Sequence, residues 1–389
     1  MATVTSKRRL IATFVTRILT HYRIPFHEQV REALDANGID YRLIHGQPDS
    51  SEAAKGDLAT LPWAQSVENR PIMDRGKLVW QPVWHEAMAS NLVVLGQENQ
   101  LLVNYPLQLF PPRMRPRLAL WGHGRNFQAR NPKSRAEQWK RFWATRCDWW
   151  FAYTDESRRH VESLGFPPER ITVFNNAVDT GGLQRLAAVV HKAEIAELRA
   201  RLGIHGDTVA IFVGGLYPEK RLDFLVAAAD LVRGQIPNFT LVVVGGGVDN
   251  AKLEALATTR PWLIVAGPRF GREKAALMQM AKLFLMPGLL GLAVLDAGVM
   301  GLPVVTTSYP WHSPEIAYLR DGETGVIVEP WEDAEAYATA VVALLTNEAA
   351  RSAMSSSARR YAGAFTIEAM AERFAAGIAA ALAAPKRRD

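Results

Sequence analysis

The chain has 389 residues, 48% of them hydrophobic, which suits two or three domains with substantial cores. A single cysteine, Cys147, excludes an internal disulfide framework and a multi-cysteine zinc site, and it points to a reducing, cytoplasmic setting. The net charge of +6 favours an anionic partner: nucleic acid, an acidic small molecule or an anionic membrane surface.

The N-terminal Met1–Leu10 is basic, but the apolar stretch that follows is broken by Thr13, Thr16, Arg17 and His21. It is too short and too polar for a signal peptide or a membrane span. Arg9–Thr16 reads as a strand, Pro25–Asn37 as a helix stopped by Gly38, and Tyr41–His45 as a second strand, the opening βαβ of a parallel sheet. A less regular stretch runs through Trp84. Order returns with strand Asn91–Gly96, helix Asn99–Leu109, strand Arg117–Trp121, helix Arg135–Arg146, strand Trp149–Tyr153, helix Glu156–Leu164 and strand Ile171–Phe174. This alternation is that of a doubly wound α/β domain, expected over residues 1–180.

A polar, helical segment over 181–206 reads as an inter-domain connection, and a second α/β domain is expected over 207–365. Its strands are expected at Thr208–Val213, Thr240–Val244, Leu263–Ala266, Leu283–Met286, Pro303–Thr306 and Gly325–Val328, with helices between them. The final helix, within 366–389, is expected to pack back on the first domain.

The most informative stretch is Ile211–Lys220, IFVGGLYPEK, a buried strand that empties into a glycine turn followed by a lysine. Gly214 and Gly215 lack Cβ atoms, so backbone N–H groups can approach an anion, and Lys220 supplies a point charge. Plain turn chemistry is the alternative for this segment alone. A second strand, LVVVGGG, ends at Gly247, and Met286–Val305, MPGLLGLAVLDAGVMGLPVV, sets proline, glycine, an acid and an apolar helix between two strands.

FVGGLYPEK, LVVVGGG, MPGLLGLAVLDAGVMGLPVV and PEIAYLRDGETGVIV stand in the order and spacing of glycosyltransferase family 4, and the chain resembles a GT-B enzyme of that family. The resemblance covers the second domain and extends more loosely to WGHG at Trp121–Gly124 and to PERITVFNNAVD, ending at Asp179. It implies two Rossmann-like doubly wound α/β domains facing a cleft, with the donor nucleotide held by the second and the acceptor met by the first. Carried over by position, Gly214, Gly215 and Lys220 hold the diphosphate, the helix starting near Gly291 and Leu292 aims N–H groups at it, and Asp296 accepts ribose hydroxyls in place of a glutamate. His123 stands where the family has a histidine near the transferred sugar, so His123 and Lys220 are the implied catalytic residues; a loop histidine bonded to backbone is the alternative for the former.

Two departures stand out. The family's arginine after the first glycine of the turn is Gly215 here, and the first glutamate of its paired motif is Gly288. Arg269, Arg272 and Arg221 are candidates to lend the missing charge, with solvated surface arginines as the alternative, while Glu315 matches a family position of structural character.

The resemblance implies retaining transfer of a hexose from a UDP- or GDP-sugar to a hydroxyl of a glycan or lipid-linked acceptor, in bacterial surface polysaccharide or glycoconjugate synthesis. No cofactor is expected beyond that donor, and no metal, since the chain has no D-x-D triplet. A dinucleotide dehydrogenase fits poorly, because the third glycine of G-x-G-x-x-G falls at Asn250. Remaining alternatives are a sugar-nucleotide epimerase, which lacks acid–base carboxylates here, and a binding protein that kept the fold without turnover. Nucleic acid is disfavoured because basic residues are spread and no recognition motif is visible. Between Phe110 and Phe151, however, Arg113, Arg115, Arg117, Arg125, Arg130, Lys133, Arg135, Lys140, Arg141 and Arg146 mingle with Trp139, Phe142, Trp143, Trp149 and Trp150. That mixture suits peripheral binding to an anionic membrane, with a core-plus-surface arrangement as the alternative.

Overall fold

The computed structural model describes residues 9–48, 58–72, 78–127, 131 and 133–387. The basic segment before Arg9, and Arg130 of the basic–aromatic stretch, lie outside these residues. The chain divides into two compact units, one running to Asn176 and resuming at Ile367, the other spanning Ala177–Thr366.

In the first unit the strands are β1 (Leu10–Thr16), β2 (Ile39–Gly46), β3 (Gln65–Val67), β4 (Arg70–Pro71), β5 (Val79–Trp80), β6 (Leu92–Gly96), β7 (Arg117–Gly122), β8 (Trp149–Ala152) and β9 (Ile171–Val173). Among the described residues seven of them form a parallel sheet in the order β3-β2-β1-β6-β7-β8-β9, while β4 and β5 make a small antiparallel ribbon. Every residue of β6 and β8 is buried, as expected for parallel strands covered on both faces. The helix expected from Asn99 begins at Asn104, because Leu102 N–H is drawn to Val79 O (2.9 Å) and the chain there runs beside β5.

The last helix, Ile367–Ala383, belongs to this unit. Its Phe374 ring lies 4.2 Å from that of Phe151, 5.1 Å from Phe26 and 5.6 Å from Phe174, which fixes the helix against the sheet. Burying one such ring contributes about 1.5–3 kcal/mol.

The second unit contains β10 (Thr208–Val213), β11 (Phe239–Val244), β12 (Leu263–Gly267), β13 (Leu283–Leu285), β14 (Val304–Thr307) and β15 (Gly325–Val328), all parallel, in the order β12-β11-β10-β13-β14-β15. The segment expected as a helical connection is helical, as Thr180–Ala188 and Lys192–Leu202, but both helices pack within this unit on helix Gly271–Met280. Gln279 Nε2 donates to Ala187 O (2.7 Å) and Arg272 Nη2 to Glu194 Oε1 (2.7 Å).

In this sheet the chain leaves β10 toward β11 on one side and later returns through β13 on the other. The loops after β10 and β13 therefore lie side by side at a topological switch point, the edge at which open α/β sheets place ligands.

Candidate functional site

Three loops are knitted together at that edge. After β10, Gly214 N–H donates to Val244 O (3.0 Å) and Leu216 N–H to Gly246 O (2.9 Å). A Cβ on Gly245 would lie 1.8 Å from Gly214 O, so the glycines after β11 let two backbones touch rather than form a dinucleotide turn. On the other side Leu289 N–H donates to Glu219 O (2.9 Å), and Lys220 Nζ donates to Leu289 O (2.5 Å).

Lys220 is 5% exposed, and burial pushes its pKa down to about 8 against the opposing pull of Glu219. One of its three ammonium protons goes to Leu289, which leaves two for an anion. Its Nζ lies 5.2 Å from the Tyr217 ring centroid. That ring also fills the space beside Gly215, where a Cβ would come within 2.7 Å of Tyr217 Cε1. Tyr217 thus occupies the room that a longer residue at position 215 would need.

Gly288 has a similar physical reason. A Cβ there would lie 2.2 Å from Glu219 O and 2.6 Å from the carbonyl carbon of Lys220, so this loop can approach the lysine turn only without a side chain. The loop is then pinned from β14. Leu290 N–H donates to His312 Nδ1 (3.0 Å), His312 Nε2 meets Thr307 O (2.8 Å), and Ser313 Oγ donates to Leu290 O (2.9 Å). These partners assign a neutral imidazole with its proton on Nε2. Burial, helped by the nearby Lys220 charge, holds the His312 pKa below its usual value, although the Thr307 bond opposes this. Glu315 is buried and bonded to Ser313, so it supports this fastening.

Gly291 and Leu292 precede helix Ala293–Val299, whose first bonds run from Val294 N–H to Gly291 O (3.1 Å) and from Leu295 N–H to Leu292 O (3.0 Å). Asp296, in its first turn, binds Lys274 Nζ through Oδ2 (2.6 Å). Arg269 is held by Ala266 O (2.8 Å) and Glu273 Oε2 (3.2 Å). Arg272 is committed to Glu194 and Val189, and Arg221 to Trp331 O (2.6 Å) beneath the rings of Phe224 and Trp331, so neither stands as the missing clamp.

The second unit therefore brings Gly214, Gly215 and Lys220 against the loop that leads to Gly291, Leu292 and Asp296. His123 belongs to the first unit, where it follows β7. Its ring lies 4.1 Å from that of Tyr153 and meets Phe127 edge-on at 6.1 Å. Sequence reasoning missed Tyr217, His312 and Lys274. Only the histidine in YPWHSPE carried a local signal, a polar loop directly after a strand.

The basic–aromatic stretch divides into core and surface. Trp143, Trp149 and Trp150 are buried, and the Trp150 indole N–H donates to Ala144 O (2.7 Å). Arg115 is buried in an ion pair with Asp148 (2.6 Å), and Arg117 donates to Ala384 O (3.1 Å). The buried ones among these residues, Trp143, Trp149, Trp150 and Arg115, do not face a membrane. Leu109, Met114, Trp139 and Phe142 are exposed, and a groove of about 900 Å³ lined by Leu109, Phe110, Phe142, Arg141 and Arg146 lies within the same unit. Among the described residues no helix is long and apolar enough to cross a membrane.

Comparison with known proteins agrees with this architecture. The family described as Glycosyl transferases group 1 matches residues 207–347. A GDP-mannose-dependent α-(1-6)-phosphatidylinositol monomannoside mannosyltransferase of Mycolicibacterium smegmatis is 31% identical over 180 residues, 43% of this chain and 46% of that protein. A D-inositol 3-phosphate glycosyltransferase of Thermobispora bispora is 30% identical over 236 residues, 57% of this chain and 53% of the relative. The chain thus spans about half the length of these curated relatives. Among solved structures, Anabaena HepE in complex with UDP superposes with a TM-score of 0.68 at 15% identity, covering 96% of this chain and 100% of that one. WaaG, a glycosyltransferase involved in lipopolysaccharide biosynthesis, gives 0.62 at 18% identity over 94% of this chain and 98% of its own. Residues 207–347, within the second unit, thus match the group 1 glycosyl transferases, and the chain as a whole has the GT-B fold.

Proposed function

We propose that the protein is a retaining, metal-independent glycosyltransferase that moves a hexose from a UDP- or GDP-sugar to a hydroxyl of a glycan or lipid-linked acceptor. The observation that carries this reading is the joining of the Gly214–Lys220 turn to the loop before Gly291, at the switch point of the sheet within the segment that matches the family. In this reading the backbone at Gly214 and Gly215 approaches the diphosphate, with the two remaining Lys220 protons donating to it and Arg269 adding charge from the loop after β12. Gly291 and Leu292 border the phosphates, and Asp296 accepts from the ribose.

The reaction forms a bond from the acceptor oxygen to the anomeric carbon as the bond from that carbon to the phosphate oxygen breaks. The acceptor proton passes to the departing diphosphate, whose charge Lys220 stabilises as it develops. His123 supports the transferred group from the first unit. The names of the curated relatives support GDP-mannose, and the UDP seen with HepE supports a UDP-sugar, as the first donors to test. The exposed aromatic and basic face of the first unit supports peripheral work at the inner surface of a cytoplasmic membrane, with a product destined for surface polysaccharide or glycoconjugate.

A thermal-shift panel of UDP- and GDP-sugars tests this, since a ligand at ~100 times its dissociation constant stabilises by about 2.7 kcal/mol. A melting temperature unmoved by every UDP and GDP compound would remove the reading. One further reading has an observation in its favour: Gly288, pressed on the lysine turn, leaves no glutamate near the reacting sugar, as in a binding protein without turnover. Donor that binds but is neither transferred nor hydrolysed would select it.

A further inference from the structure

Lys274 lies on helix Gly271–Met280 and reaches Asp296 on helix Ala293–Val299, Nζ to Oδ2, at 2.6 Å. The two side chains are 22% and 12% exposed, which makes this the most shielded ion pair of the second unit among the described residues. The other pairs of the unit are open to solvent on at least one side and are of the kind that contributes little. A shielded pair loses hydration on both partners, so its presence here asks for a use beyond joining two helices.

We propose that Lys274 is a specificity residue of the nucleotide site, which reads a ribose hydroxyl jointly with Asp296. This rests on the glycosyltransferase reading above, in which Asp296 faces the donor ribose. A carboxylate only accepts hydrogen bonds and an ammonium only donates them, whereas a hydroxyl does both. The observed bond uses Oδ2 and one ammonium proton, so Oδ1 and two protons are left for a ligand. Asp296 alone would read only the hydrogen of a hydroxyl. With Lys274 beside it the site also reads the oxygen lone pair, and the long lysine arm adds reach that an aspartate lacks. A site that satisfies both halves of a hydroxyl leaves two shielded polar groups unpaired when the hydroxyl is absent, which is the physical basis for rejecting a deoxy analogue.

The test is calorimetry on the full chain with UDP, GDP and their 2′-deoxy and 3′-deoxy counterparts, for wild type, Lys274→Met and Lys274→Gln, with melting temperatures in parallel. Wild type should prefer the ribonucleotide over at least one deoxy form by tenfold or more. Lys274→Met should bring that preference below threefold by weakening the ribonucleotide while sparing the deoxy form, and Lys274→Gln, which keeps a donor, should retain part of it. An unchanged preference in the methionine variant, with only a lower melting temperature, would leave a structural staple and overturn the proposal, as would a wild type indifferent to both hydroxyls. Wild type binding neither UDP nor GDP would instead overturn the glycosyltransferase reading on which the proposal stands. Should Lys274→Met not fold, the glutamine variant carries the comparison: a preference reduced at least threefold supports the proposal, and a preference equal to that of wild type overturns it.

Discussion

Lys220 donates to the carbonyl oxygen of Leu289 across 2.5 Å, so the cation of the glycine turn and the backbone of the neighbouring loop are held as one piece. The same lysine is nearly enclosed, which sets its charge near a tipping point: burial brings its pKa to about 8. The geometry and the titration of this residue can therefore be tested together.

Lys220→Ala should weaken UDP or GDP binding by about 1.5–3 kcal/mol, the usual range for a hydrogen bond to a charged group. For wild type, diphosphate affinity should fall as pH rises through about 8, because the ammonium is lost there, and Lys220→Arg should flatten that profile. Stability should move the other way. The folded pKa lies below the unfolded value of 10.5, so between about 8 and 10.5 the unfolded chain binds more protons and stability rises with pH. Calorimetry and thermal melts across pH 7 to ~11 check both signs, and a flat wild-type affinity profile would count against the phosphate role.

Gly288→Ala should destabilise the second unit by about 1–3 kcal/mol, as overpacking does, since its Cβ would sit 2.2 Å from Glu219 O. Because the displaced backbone carries Lys220, nucleotide affinity should fall with it. Gly291→Ala is the control: its nearest neighbour is Ser313 Oγ at 3.7 Å, an ordinary contact. Denaturant titrations of the two variants giving equal midpoints would show that the close approach at 288 carries no energy.

The parallel strands were legible because burial on both faces writes them as continuous apolar runs, as at Leu92–Gly96 and Phe239–Val244. The short strands β3 to β5 were not, since two or three partly polar residues carry no period. Helix Lys192–Leu202 was read as part of a connection because it buries only Leu198 and shows almost no apolar stripe. In the site, Gly214, Gly215 and Lys220 could be found because their chemistry is local. Lys274 could not, and the loop signal at His312 did not disclose its role, because each acts on a residue 22 positions away that only the fold brings close. The departures at Gly215 and Gly288 were visible as letters. Their reasons, the Tyr217 ring and the Glu219–Lys220 backbone, exist only in three dimensions.

Transfer should proceed unchanged in EDTA. The chain has no D-x-D triplet, and in the proposed mechanism lysine and backbone donors meet the diphosphate charge. Initial rates with and without added magnesium or manganese, on protein dialysed against chelator, measure this directly. A rate that returns only with a divalent ion would require a different account of leaving-group stabilisation.

The last prediction separates a membrane-facing surface from an ordinary solvated one. Trp139 and Phe142 are 47% and 53% exposed on helix Arg135–Ala144, with Leu109 and Met114 also exposed in the same unit. Exposed Arg113, Arg141 and Arg146 accompany them, and the Arg146 guanidinium lies 4.2 Å over the Phe142 ring. Aromatic rings of this kind favour the headgroup region, and each basic residue near an anionic surface is worth about 1 kcal/mol. The protein should therefore sediment with anionic vesicles, not with neutral ones, and release in high salt as the charges are screened. Replacing Arg113 and Arg141 by glutamate should reduce binding at least about tenfold, since two attractions become repulsions. Phe142→Ser should weaken it by removing the apolar anchor without touching the buried Trp150. Equal recovery from anionic and neutral vesicles would leave these side chains as a solvated face, and the acceptor would then be sought among water-soluble glycans.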